Sequence, residues 1–204
     1  SGALKRLEGF NIPKANNTSE YAQQKLLEGV TGIGPVKAKK LVAANLTLQT
    51  LKDTHSKNPE LLVNDLTHHQ ILGIKYYEDL EHRIPYDEIT KTDEYLKNVL
   101  DKVNKTCLKN GGYKHMICGS YRRETPTSGD IDVLFYNTRK DSTTKDSSFF
   151  KAVMQTLMNT KFLKDHLTDP TTVTTKYMGF CKLPRRKWSR RIDMRCISRD
   201  SLPT

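Results

Sequence analysis

Apolar residues recur with a helical period up to about residue 106, and beyond it short apolar runs alternate as strands do, so two subdomains are expected. Thr18 or Ser19 is placed to cap a first helix carrying Tyr21, Leu26 and Leu27. Gly32-Ile33-Gly34-Pro35 interrupts it, and a second helix starts at once over residues 36–42. Further helices are predicted over residues 48–54, 59–63 and 67–84, the last with Ile71, Ile74, Leu80 and Ile84 along one stripe. Pro85 is predicted to open the next helix as its first residue. That helix runs to about Lys105 with Ile89, Tyr95, Leu96, Val99, Leu100 and Val103 facing inward, and Gly111-Gly112 ends the helical half.

In the second half, strands are predicted over residues 113–118, 131–136, 172–183 and 191–197, with a helix over 148–160. The polar stretch 137–147 reads as a mobile loop. The pattern is that of an α+β protein, divided into residues 1–84 and 85–204.

Composition narrows the partners. The chain has 204 residues, 36% of them hydrophobic, and a mean hydropathy of −0.65, which is enough for a buried core in a soluble chain. Lys plus Arg number 34 against 23 Asp plus Glu, a net charge of +11 and a pI near 9.4. That excess favours a polyanion, either nucleic acid or an anionic surface. No run approaches the roughly 18 apolar residues of a membrane span. Cys107, Cys118, Cys181 and Cys196 show no C-x-x-C spacing, which predicts free thiols in a reducing intracellular compartment. The six histidines are scattered or adjacent and lack zinc-ligand spacing.

Three segments carry chemistry. In Gly29-Val30-Thr31-Gly32-Ile33-Gly34-Pro35, glycines at a helix-opening turn let backbone amides approach a phosphate, and Lys37, Lys39 and Lys40 follow directly. This fits a helix-hairpin-helix, which grips a DNA backbone without reading sequence. In Ser128-Gly129-Asp130-Ile131-Asp132, residues two apart on a strand share a face at about 6.6 Å, so Asp130 and Asp132 can reach a pair of magnesium ions. Upstream, Gly119 permits close approach while Ser120 and Arg123 supply donors to triphosphate oxygens. In Arg190-Arg191-Ile192-Asp193-Met194-Arg195, Asp193 is the only acid between Lys182 and Arg199. It is either a neutralising ion-pair partner or, if this strand lies beside the first, the third carboxylate of a two-metal site.

The segments GVTGIGPVKAKKLV, LTHHQILGIKYYEDLEHRIP, CGSYRRETPTSGDIDVLF, TKYMGFCKLP and RRIDMRCI, in that order, resemble family X of the DNA polymerases, the family of DNA polymerase beta. The resemblance covers nearly the whole chain. It implies a helical helix-hairpin-helix subdomain followed by a nucleotidyltransferase palm with a mixed β-sheet, and an enzyme that is a DNA-directed DNA polymerase filling gaps in base excision repair. Asp130, Asp132 and Asp193 would be catalytic and hold two Mg²⁺, with Mn²⁺ as a substitute. Gly119, Ser120, Arg123, Ser128 and Gly129 would hold the deoxynucleoside triphosphate. Arg191 would hydrogen-bond within the carboxylates and Arg195 would pair with Asp132. A monovalent cation, Na⁺ or K⁺, would sit on the backbone of Val30 and Ile33. Gly32, Gly34, Lys37 and Lys176 would meet primer or template DNA. The expected partners are DNA and deoxynucleotides, with no membrane, a monomeric state, and a nuclear location in a eukaryotic cell.

Two departures stand out. Glu124 occupies a position that is glycine in close relatives, where its carboxylate would either weaken triphosphate binding or pair with a neighbouring arginine. The chain also resembles a fragment, without the family's lyase domain and its C-terminal closing subdomain. The competing readings are therefore a non-catalytic DNA-binding fragment and a template-independent nucleotidyltransferase.

Overall fold

The structure is a computed structural model that describes residues 19–107, 112–138 and 147–202. Thr18, Gly111, most of the 137–147 loop and the Cys107 side chain lie outside the described residues, as do the readings made of them. The chain divides into two compact units, Ser1–Glu78 and Asp79–Thr204.

The first unit is helical. Helix α1 (Glu20–Glu28) is capped by Ser19, whose hydroxyl accepts from the Ala22 amide. Helices α2 (Pro35–Ala43) and α3 (Leu48–Lys57) follow, the latter opened by a Thr47–Thr50 capping box. The segment predicted over 59–63 is a single 3₁₀ turn, Pro59–Leu62. Leu27, Val30, Ile33, Ala38, Leu41, Leu51, Leu62 and Ile74 close this unit's core.

The helix predicted over 67–84 is broken. It forms α4 (His68–Lys75) and α5 (Tyr77–Glu81), interrupted at Tyr76. Ile84 and Pro85 then form strand β1 (Ile84–Pro85), so Pro85 does not open a helix. A residue before proline is driven toward extended backbone, and proline is tolerated at a strand edge. Here the ladder partner is β3 (Thr127–Ser128), with Ile84 opposite Ser128 and Pro85 opposite Thr127. The division at Glu78 falls before the sequence boundary at residue 84, and the residues between are tied into the second unit. The Asp79 carboxylate accepts from the Ser189 amide at 2.8 Å, and the His82 carbonyl accepts from Arg190.

Helix α6 (Tyr86–Cys107) packs the predicted apolar stripe, with Ile89, Leu96, Val99, Leu100 and Val103 all buried. The sheet has the order β2–β4–β7–β6–β5, formed by β2 (Tyr113–Ile117), β4 (Ile131–Asn137), β7 (Arg190–Ile197), β6 (Lys176–Cys181) and β5 (Leu163–His166). β4 and β7 are parallel and every other neighbouring pair is antiparallel, so the sheet is mixed. Helix α8 (Ser147–Asn159) contributes Phe149, Phe150, Val153, Met154 and Leu157 to the core. The strand predicted over 172–183 is shorter, because Asp169 wraps Thr171 and Thr172 into a turn ahead of Lys176. β5 and the short helix α7 (Gly119–Arg122) carry no apolar period long enough to have been read.

The start of β7 is locked by a buried ion pair. Arg190, 5% exposed, donates to both oxygens of Glu88, 6% exposed, at 2.7 and 3.0 Å. Replacing Glu88 by Ala leaves that guanidinium buried without its counter-charge. Urea denaturation of Glu88→Ala should show a loss of about 3–5 kcal/mol.

Candidate active site

The register of β4 and β7 sets Asp132 opposite Asp193. Neighbouring strands lie about 4.8 Å apart, so the two carboxylates leave the sheet side by side. Alternation decides the face. Ile131, Val133 and Phe135 on β4 and Ile192, Met194 and Cys196 on β7 are buried, which turns both acids to the half-exposed side. Asp130, exposed, immediately precedes β4.

Burial is the main reason the Asp132 carboxyl titrates above its ordinary value; the negative charges of Asp130 and Asp193 push it further, and Arg195 and Arg191 offset part of that. Asp132 thus lies within the field of the other two acids. Among the described residues, however, no three His, Cys, Asp or Glu side chains gather closely enough to hold a metal ion. Asp193 is engaged by Arg191, whose Nε and Nη2 donate to it at 3.0 and 3.4 Å. Arg195 is exposed and forms no ion pair with Asp132. An all-carboxylate set whose charges repel suits a hard divalent cation such as Mg²⁺, which would relieve the repulsion.

The turn that carries Ser120 and Arg123 touches Asp132 directly. The Cys118 amide donates to the Asp132 carbonyl at 2.8 Å, and burial raises the Cys118 thiol pKa. Gly119 follows with φ +64°, and a Cβ on it would stand 2.8 Å from Asp132 Oδ2. Any side chain there would collide with the carboxylate. The Ser120 carbonyl ties the turn together by accepting from the Arg123 and Thr125 amides. Arg123 is exposed and makes no ion pair among the described residues. Ser128 is 2% exposed, and its Oγ is buried without a hydrogen-bond partner.

Glu124 closes the same turn with φ +56°, a left-handed conformation that costs a non-glycine residue about 1–2 kcal/mol. Its carboxylate forms no ion pair with any described residue, so the arginine pairing offered as one alternative is absent.

In the first unit, the hairpin is built around Gly32, at φ +87°. Val30 and Ile33 are buried, and the Val30 carbonyl accepts from the Ile33 amide at 2.9 Å. Gly34 caps α2 with no side-chain hydrogen bond, and a Cβ there would meet nothing within 4 Å. Pro35 has no N–H, so the amides this uncapped start leaves open to an anion are those of Val36 and Lys37. Lys37 points elsewhere: its ammonium donates to the Asp65 carbonyl at 2.5 Å, beside an Asp65 carboxylate that is buried without a hydrogen-bond partner. Lys176 is exposed at the start of β6, opposite Arg195.

Three residues were not read from the sequence. Gly73 on α4 leaves no room for a side chain, since a Cβ would lie 2.1 Å from the Thr31 carbonyl oxygen. Gln70 donates to the Gly32 carbonyl at 3.0 Å. Arg83 donates to Thr127 Oγ1 and its carbonyl at 2.7 and 3.1 Å and reaches Gly129. A lone glycine inside the α4 pattern was the one available signal for any of them.

Comparison with known proteins gives two family matches: the DNA polymerase beta palm over residues 83–199 and the fingers domain of DNA polymerase lambda over residues 25–81. The chain is 31% identical to DNA polymerase lambda of Arabidopsis thaliana over 98% of its own length and 35% of that protein's. It is also 31% identical to DNA polymerase lambda of Rattus norvegicus, over 58% of its length and 20% of that protein's. The chain thus spans about a third of the length of the first of these relatives and a fifth of the second.

Because the Asp132 carboxyl pKa is raised in the folded state, its ionised form costs stability at neutral pH, and the cost disappears as pH falls through that raised value toward the ordinary carboxylate range. Asp132→Asn should therefore raise the thermal midpoint at pH 7 and lose that advantage near pH 3–4. Added Mg²⁺ should stabilise the wild type more than the variant. At the hairpin, Gly32→Ala should cost about 1–2 kcal/mol in denaturation because of its positive φ. Gly34→Ala should leave stability nearly unchanged and weaken binding to duplex DNA in a titration at fixed salt.

Proposed function

The chain belongs to the family X DNA polymerases, and we propose that it is the DNA-holding and catalytic part of a DNA-directed DNA polymerase that extends a primer 3′-hydroxyl in gap-filling repair. The observation that carries this reading is the Asp132–Asp193 pair on one sheet face, with the Gly119 turn packed against it. Residues 1–84 would hold DNA and residues 85–204 would form the palm.

In the reaction, the primer 3′-oxygen forms a bond to the α-phosphorus of the deoxynucleoside triphosphate, and the bond from that phosphorus to the bridging oxygen breaks, releasing pyrophosphate. Bound Mg²⁺ or Mn²⁺ supplies acidification of the hydroxyl and neutralisation of the leaving group. Asp130 and Asp132 would hold both ions, and Asp193 would hold the catalytic one and help to activate the primer 3′-hydroxyl. Arg191 fixes the Asp193 carboxylate, and Arg195 moderates the charge of Asp132. Ser120 and Arg123 donate to triphosphate oxygens, the Gly129 backbone approaches them, Gly119 makes the room, and Ser128 holds the loop by pairing with Ile84. Arg83, reaching Gly129, is an additional donor on that side.

DNA would lie along the Gly32 and Gly34 amides in the turn ahead of α2, with a Na⁺ or K⁺ ion shared with the Val30 and Ile33 carbonyls. Lys176 offers a phosphate or template contact. Lys37 serves DNA only after leaving the Asp65 carbonyl. Among the described residues no helix is long and apolar enough to cross a membrane. Among the described residues Cys118 and Cys181 are free thiols, which suits a reducing compartment such as the nucleus.

The test is incorporation of one labelled deoxynucleotide on gapped DNA with Mg²⁺, with binding followed on the same samples. Asp193→Ala should lower incorporation by about 10³-fold or more while gapped-DNA affinity stays nearly constant. Binding without any incorporation by the wild type would favour a DNA-holding fragment. Extension indifferent to the template base would favour a template-independent transferase.

A further inference from the structure

Between Lys182 and Arg191, where β6 passes into β7, the chain carries Lys182, Arg185, Arg186, Lys187, Arg190 and Arg191 and no acid. Arg190 is neutralised by Glu88 and Arg191 by Asp193, and Arg186 reaches the Asp87 carboxylate at 3.4 Å. Arg185 and Lys187 are exposed and form no ion pair among the described residues. The loop that carries them is fastened along its length. Pro184 opens a tight turn, closed by the Arg186 amide on the Leu183 carbonyl at 3.2 Å, and Arg185 stands at its tip with the left-handed φ of +64° that the third turn residue often takes. Trp188 stacks on His82 with ring centroids 3.9 Å apart, and the Lys187 ammonium lies 4.2 Å over the Trp188 ring. The Ser189 amide donates to the Asp79 carboxylate at 2.8 Å. These contacts limit the freedom that the two cations must give up on meeting a ligand.

Strand register sets this loop at the acid end of the sheet. β4 and β7 run parallel with Ile131 opposite Ile192, so β7 begins beside Asp130. From Arg190 to Asp193 the strand rises about 10 Å. Phosphates of one DNA strand follow at about 3.4 Å of helix axis, so a strand ending at Asp193 has its last few phosphates within that distance. We propose that Arg185 and Lys187 grip the DNA backbone, holding the primer phosphates just upstream of the 3′-hydroxyl. The inference rests on the polymerase reading above. Such contacts fix the position of the strand without reading its bases, and here they steady the primer terminus beside Asp193.

Two double variants separate a local contact from net charge. Arg185→Gln with Lys187→Gln removes two charges from the loop, and Lys97→Gln with Lys102→Gln removes two from exposed positions on α6, about 15 Å or more along the helix from Asp87. Gapped-DNA affinity of the full chain is followed by fluorescence anisotropy from about 50 to 200 mM salt. The loop variant should bind about tenfold or more weakly at the low-salt end, with a logarithmic salt slope shallower by about 1.8, while the α6 variant keeps the wild-type slope. Uncharged methylphosphonates at the last few primer phosphates should weaken binding by the wild type and add little further loss in the loop variant. A loop variant that behaves as the α6 variant does, with the wild type binding gapped DNA normally, would overturn the role of the loop and leave the polymerase reading standing. Coupling to template phosphates in place of primer phosphates would overturn the strand assigned to it. Failure of the wild type to bind gapped DNA at any salt would overturn both readings.

Discussion

Parallel pairing of β4 with β7 brings Asp132 and Asp193 together, and like charges on a half-exposed sheet face repel. The fold works against that repulsion in its own interior. Six buried side chains on the reverse side of these two strands hold the register, and Arg191 takes up the Asp193 carboxylate. A one-residue slip would bury the acids and expose the apolar row, so the core fixes the position of the charged pair. Arg195 and Arg191 offset only part of the charge around Asp132.

The neighbouring turn depends on the same pairing. Gly119 leaves no space for a side chain beside the Asp132 carboxylate, and the Cys118 amide binds the same residue's carbonyl. Further along the loop, β1 and Arg83 hold Thr127 and Ser128 from the other side. The turn is thus fastened at both ends to strands. In the first unit the same economy recurs at the hairpin, where Gly73 lets α4 approach Thr31 and Gln70 holds the Gly32 carbonyl.

Much of this was legible from residue order. Periodicity located α1, α2, α3, α6 and α8 and the three central strands, since each presents an apolar face long enough to read. The Gly-rich hairpin and the D-x-D and R-R-x-D segments marked the residues proposed for the chemistry; D-x-D alone is a common pattern, and the Gly-Ser pair upstream made it specific. What periodicity missed was short or dictated from afar: the break at Tyr76, the extended Ile84–Pro85 pair, α7 and β5. Propensity at Pro85 allowed either a helix start or a strand edge, and the ladder to Thr127 and Ser128 decided it.

By itself, then, the sequence determined the α+β class, the basic surface and the identity of the acids and glycines, because local pattern and side-chain chemistry are properties of neighbouring residues. Only the tertiary structure decided that Asp132 faces Asp193 across a parallel ladder, that Lys37 turns to Asp65, that Arg83 reaches Gly129 and that Glu124 has no partner. Each of these last depends on segments far apart in the chain being brought together by burial of the core, and no local rule encodes that distance.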